Sequence, residues 1–190
     1  MAILLLNDGT MCRHVSTIVS KLSLLKITLK RCVLRVPQSH PDPLPDLLSK
    51  DVLSEAEKHQ ILEQYRQRAD YLEQEREHFR CDLLTLHPGS PQLYSLTATQ
   101  GPYHVQADPE RMDLLIGEAM FGFVYPDASQ IKLLLQPQEQ IQIPAGVEHW
   151  FSPTASLQMK AVRYFASADG WVPQYTGTSR QEPHDRRRFS

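Results

Sequence analysis

Phe121-Gly-Phe-Val-Tyr-Pro-Asp-Ala-Ser-Gln-Ile-Lys-Leu-Leu-Leu-Gln-Pro-Gln-Glu-Gln-Ile-Gln-Ile143 is the stretch that decides the fold. It holds three apolar runs, Phe121–Tyr125, Ile131–Leu135 and Ile141–Ile143, separated by polar, proline-bearing turns. Runs this short, rich in aromatic and branched side chains, suit strands and are too brief for helices. Cys81–Leu86 and Met112–Leu115 precede them in the same style, and Ala161–Phe165 follows. No helical pattern interrupts the series after His78, so a parallel sheet with crossover helices is disfavoured. The expectation is an antiparallel β-barrel or sandwich. Fourteen prolines against eight glycines suit its many stiff connections.

Upstream the pattern is mixed. Leu4–Leu6 read as a strand ended by the turn Asn7-Asp8-Gly9. Val15, Ile18, Val19, Leu22 and Leu25 recur at helical spacing. From Leu29 to Val36 the chain alternates, with Cys32, Leu34 and Val36 on one face and Arg31 and Arg35 on the other, as in a half-buried strand. Four prolines between Pro37 and Pro45 predict an irregular loop. Ser54 and Glu57 form a capping box that starts a helix whose buried stripe is Ile61, Leu62, Tyr65, Ala69 and Leu72. The expected layout is an α/β N-terminal strand-helix-strand-helix lobe over 1–78, packed on a mainly β domain over 79–177, with a flexible tail at 178–190.

Composition narrows the function. A chain of 190 residues, 41% of them hydrophobic, can bury one real core. A formal charge of −2 argues against a nucleic-acid partner, and Arg186-Arg187-Arg188 reads as a solvated end. Cys12, Cys32 and Cys81 are an odd, scattered set without metal spacing, which suits reduced thiols in the cytoplasm. The apolar start Ala2–Leu6 is five residues long, too short for a secretory leader or a membrane span. The expectation is a cytoplasmic monomer with no membrane and no nucleic-acid partner.

Chemistry concentrates between Tyr103 and Gly117. His104 and Gln106 are two apart, so on a strand they share a face. A turn at Ala107-Asp108-Pro109 lets Glu110 face back toward them. In Ile143-Pro-Ala-Gly-Val-Glu-His149-Trp-Phe151, a Pro-x-Gly turn precedes a histidine at the start of another strand. Two imidazoles and a carboxylate converging inside a small barrel make a site for a divalent transition metal with open positions. His104, Glu110 and His149 are the expected ligands. Gln106 stands between a weak ligand and a bystander. His14, His40, His59, His78, His87 and His184 read as solvated. Arg163 lies in the apolar run Ala161-Val-Arg-Tyr-Phe165 and needs a partner. Either a carboxylate such as Glu110 or Asp113 pairs with it, or it anchors an anionic substrate. Phe151 and Trp171 are core aromatics that can also wall a pocket.

These motifs carry a resemblance. His104-x-Gln106-x-x-x-Glu110, followed by Gly117, resembles the first cupin motif, and Pro144-Ala-Gly146-x-x-His149 resembles the second. Trp150-Phe151, Lys160-Ala-Val-Arg163-Tyr-Phe165 and Asp169-Gly-Trp171-Val-Pro-Gln-Tyr-Thr-Gly177 extend the likeness to the acireductone dioxygenase family. The resemblance implies a cupin-type antiparallel barrel, or jelly roll, in an enzyme of methionine salvage. Its small anionic substrate, 1,2-dihydroxy-3-keto-5-methylthiopentene, would be cleaved with O2. His104, Glu110 and His149 would hold Fe2+, with Ni2+ or Mn2+ as alternatives. Arg163 would meet substrate charge, and Phe151 and Trp171 would shape the slot for the methylthio end. With iron the family forms formate and a 2-keto acid, and with nickel carbon monoxide and a methylthio acid. Departures from the pattern are Gln106 for a histidine, Met112 for an arginine, Asp113 for an aromatic residue and Ala119 for a glycine. They leave a second reading, a degenerate cupin that binds a small ligand or a partner without turnover.

Overall fold

A computed structural model describes residues 1–32, 34, 42–68, 80–167 and 172–180. Each apolar run of the sequence becomes a strand: β1 (Ile3–Leu6), β2 (Met11–Cys12), β3 (Thr28–Arg31), β4 (Arg80–Leu86), β5 (His104–Val105), β6 (Glu110–Gly117), β7 (Ala119–Val124), β8 (Gln130–Leu135), β9 (Glu139–Ile143), β10 (His149–Pro153), β11 (Met159–Phe165) and β12 (Gln174–Tyr175). The helices are α1 (Val15–Ser23), α2 (Leu44–Ser49), α3 (Glu55–Arg68) and α4 (Pro91–Gln100). The strands form a seven-stranded sheet, ordered β12-β5-β10-β7-β8-β1-β2, and a five-stranded sheet, ordered β3-β9-β6-β11-β4. The pairings described are antiparallel throughout, as the short turns require.

The main core lies between the sheets. Phe121, Phe123, Leu133 and Phe151 come from one, and Leu84, Met112, Leu114, Ile141 and Ala161 from the other. Phe121 is fully buried and meets the ring of Phe151 edge-on at 5.3 Å. Burying each such side chain stabilises the fold by about 1.5–3 kcal/mol. A second core lies on the outer face of the five-stranded sheet, where Leu83, Val162 and Tyr164 meet Leu44, Leu47, Ile61 and Tyr65 of α2 and α3. The five-stranded sheet is therefore covered on both faces, and the order of layers is sheet, sheet, helix.

Of the two expected forms, the sheets take that of the sandwich: among the described residues no ladder joins one to the other, and their inner faces meet through side chains. Two expectations are corrected. The series of strands is interrupted by α4. Pro91, whose missing N–H is harmless in a first helical turn, starts it, and Leu93 and Leu96 pack on the core. The proline-rich loop also ends earlier than expected, because α2 begins at Leu44 with Pro45 in its first turn. The capping box forms as read, with Glu57 accepting from the Ser54 amide at 2.8 Å.

The N-terminal segment is joined to the sheets by backbone hydrogen bonds, with β1 paired to β8 and β3 to β9. The boundary expected at 78 lies outside the described residues, as do Val33, Val36, Ala69, Leu72, Trp171 and the end of the tail from 181. Among the described residues no helix is long and apolar enough to cross a membrane.

Candidate metal centre

Alternation along the strands places the candidate residues at one end of the space between the sheets. His104 opens β5, His149 opens β10, and the two are directly opposed in register. Their rings stand 4.5 Å apart between centroids. Glu110 opens β6 in the facing sheet, and its Oε2 lies 3.1 Å from His149 Nε2. The two motifs are tied by backbone as well, since the Gly146 amide donates to the Gln106 carbonyl at 2.9 Å. Gly146 makes this turn with φ of +75°, a conformation costly for any residue with a Cβ. Gly117, which ends β6, has φ of +80°, and a Cβ there would come within 2.0 Å of the Gln158 carbonyl oxygen. No other residue fits.

The four polar residues of the first sequence reading come together. His104, Gln106, Glu110 and His149 are each at most 3% exposed. Both imidazoles are oriented by the carbonyl two residues upstream: His104 Nδ1 donates to Pro102 at 2.9 Å and His149 Nδ1 to Val147 at 2.8 Å. A carbonyl only accepts, so each neutral ring carries its hydrogen on Nδ1 and presents the Nε2 lone pair to the interior. At His149 that lone pair faces a carboxylate oxygen, and a proton or a cation must lie between two such acceptors. Burial holds the His104 imidazole below its ordinary value of 6.5, with the nearby His149 acting in the same direction and the Pro102 carbonyl and Glu110 opposing. The neutral form is the one that ligates metal.

Gln106 completes the group. Its Nε2 sits 3.4 Å from His104 Nε2 and 3.4 Å from Gln100 Oε1, while its Oε1 is buried with no hydrogen-bond partner among the described residues. Among the described residues no set of three or more His, Cys, Asp or Glu side chains forms a complete cation-holding cluster. The arrangement is pairwise instead: Glu110 with His149, and His104 with the amide of Gln106.

Beside Glu110 lies a small cavity walled by Leu84, Leu96, Met112, Phe151 and Arg163. Phe151 is thus both core and wall. Trp171 lies outside the described residues. Arg163 reaches the cavity from β11, and a carboxylate pairs with it. Asp82, directly opposite on β4, takes the guanidinium in a two-pronged ion pair at 2.9 and 2.6 Å. Met112 faces the cavity. Arg111, one residue earlier, turns to the other face of β6, where its guanidinium lies 4.5 Å over the ring of Tyr164. Sequence reading missed Asp82 and Gln100. The signal for Gln100 was the Ser90-Pro91 helix start; Asp82 had none, because strand register is not written locally.

Residues 44–173 match the ARD/ARD' family. The chain belongs to this family. It is 48% identical over 183 residues to the acireductone dioxygenase of Nostoc sp., covering 94% of this chain and 96% of the relative. The acireductone dioxygenase of Trichodesmium erythraeum is 41% identical over 178 residues, covering 94% and 96%. Among solved structures, acireductone dioxygenase from Bacillus anthracis with a cadmium ion in its active centre superposes with a TM-score of 0.77 at 22% identity. That match covers 92% of this chain and 98% of the other, a likeness of fold. The cupin-type fold of the acireductone dioxygenase family, as the sequence motifs implied, is the fold of this chain.

Proposed function

We propose that the chain is a metal-dependent acireductone dioxygenase of methionine salvage. The family supplies the reaction, and the observation that carries the site is the buried His149–Glu110 pair at 3.1 Å with the His104 ring 4.5 Å from that of His149. His104, Glu110 and His149 hold a divalent metal, Fe2+ in preference to Ni2+ or Mn2+. When bound, the metal supplies a Lewis acid and template for a substrate that offers two neighbouring oxygens. The chain's own residues do the rest. Pro102 and Val147 carbonyls hold the two rings by their Nδ1 sides, so Nε2 of each is the nitrogen turned to the metal, which displaces the proton shared by His149 and Glu110. Phe151, Leu84 and Leu96 give the small cavity beside Glu110 an apolar wall, the side on which the methylthio end would lie. Arg163, held in place by Asp82, places a cation at the cavity for the anionic substrate. Met112 beside Glu110 contributes bulk and no charge, which leaves that role to Arg163. The chain works as a cytoplasmic monomer in this reading.

The test is O2 uptake with an acireductone by protein loaded with Fe2+, with formate and 2-keto acid as products. Carbon monoxide from the Fe2+ protein would overturn the metal preference. Protein that holds the metal yet consumes no O2 would overturn the enzyme reading in favour of a binding module.

A further inference from the structure

We propose that the segment 172–180 is a positioning strap for the metal centre, in which Thr176 and Arg180 hold the strands of His104 and His149 from the face opposite the site. The inference rests on the metal site proposed above and adds no ligand to it. His104 stands on β5, a strand of two residues. β10 meets β5 at one pair, His149 with His104, whereas β12 meets it at two, Gln174 with Val105 and Tyr175 with His104. A short strand fixed by a single pair can swing about it, and a neighbour on its other edge removes that freedom. The register of this ligand strand is therefore set as much by the strap as by β10.

The strap also grips from behind. Neighbouring residues on a strand face opposite ways. His104 and His149 point into the space between the sheets, so Tyr103 and Trp150, beside them in the chain, lie on the outer face of the seven-stranded sheet. Both are buried there, and their rings meet edge-on at 6.4 Å. The Thr176 amide donates to the Tyr103 carbonyl at 3.1 Å. The Arg180 guanidinium lies 3.8 Å over the Trp150 ring and donates to the Gly101 carbonyl. Gln130 completes the clamp: its amide oxygen accepts from the Tyr103 hydroxyl at 3.0 Å, and its nitrogen donates to the Ser179 carbonyl at 2.9 Å. One segment thus holds the neighbour of each histidine. On the inner side, the Tyr175 ring stands edge-on to that of His104 at 6.5 Å. Two imidazoles from separate strands must keep their spacing to share one ion, because coordination tolerates a displacement of only about 0.2 Å.

The experiment is a calorimetric titration of the metal-free full chain with Co2+, together with the visible spectrum of the bound ion. Thr176→Pro removes the amide that donates to Tyr103. It is expected to weaken Co2+ binding about tenfold and to change the spectrum, the reach of groups that orient ligands. Arg180→Ala is expected to weaken binding about threefold, the worth of a cation stacked on a ring at an exposed site, with a spectral change in the same direction. Ser54→Ala, at the start of α3 on the other sheet, controls for general loss of stability and keeps parental affinity and spectrum. Parental affinity in both strap variants, or weaker binding with an unchanged spectrum, would overturn the inference, since lost stability alone does not alter the surroundings of the ion. Should Thr176→Pro fail to fold, Arg180→Ala decides by itself, because that side chain is exposed. Co2+ binding that survives His149→Ala would overturn the metal site itself. Binding that His149→Ala abolishes while both strap variants leave it untouched overturns the strap alone.

Discussion

On the inward face of β6, Glu110 meets His149 Nε2 at 3.1 Å across one shared proton or cation. On the outward face, three residues on, the fully buried Asp113 receives the hydroxyl of Tyr65 from α3 at 2.6 Å and that of Tyr164 from β11 at 2.7 Å. The same residue class is buried equally on both sides of one strand, yet the surroundings differ in kind. Outward, donors from two other elements converge on the carboxylate and tie the helix layer to the sheet. Inward, the Glu110 carboxylate meets one imidazole nitrogen, that of His149, whose ring lies 4.5 Å from that of His104. A buried carboxylate with donors from two elements serves stability, whereas one that shares a proton with a histidine can exchange that proton for a cation.

The sharpest way to break this comparison is at Glu110. In Glu110→Ala the metal retained after dialysis is expected to fall about 100-fold or more, beyond the range seen for residues that only orient ligands. A variant that keeps its metal would place the cation elsewhere. On the outward face the pattern reverses: Tyr65→Phe should cost about 1–3 kcal/mol in urea unfolding by depriving a buried carboxylate of a donor, with metal content unchanged. Loss of metal in that variant would show the two faces to be coupled.

A smaller effect follows from pH. Burial lowers the His104 pKa from its ordinary 6.5, so the native ring stays neutral where the unfolded chain has begun to bind a proton. In that window the unfolded state holds more protons, and stability rises with pH up to about 6.5 and falls as pH drops below it. Metal-free protein should therefore lose stability between pH about 7 and 5.5, and His104→Asn should flatten that slope. An unchanged slope would remove His104 as its cause. Ser54→Ala, at the exposed start of α3, should cost only about 1 kcal/mol in urea unfolding and leave metal binding alone. The Glu57 carboxyl in the same cap, held down to about 2 mainly by Lys50 and then by Ser54, keeps its charge until strongly acid pH. This cap accordingly plays no part in the pH window of His104.

Most strand positions, the Ser54–Glu57 cap and the shared face of His104 and Gln106 were legible in the chain, because each depends on spacing within a few residues. A period of two puts His104 and Gln106 on one face, and a Pro-Ala-Gly turn puts His149 at the head of its strand. The partners that complete these residues were decided only by tertiary structure. Arg163 finds Asp82 because β4 and β11 pair in one register, 81 residues apart in sequence. The α4 helix has an almost featureless polar sequence, and it exists as a helix that brings Gln100 to the site because Leu93 and Leu96 pack on the core. Two sheets rather than a closed barrel, and β1 on the edge of β8, are likewise choices of pairing. Side-chain periodicity is a local property of the backbone, whereas register and packing are settled by contacts between residues that the sequence places far apart.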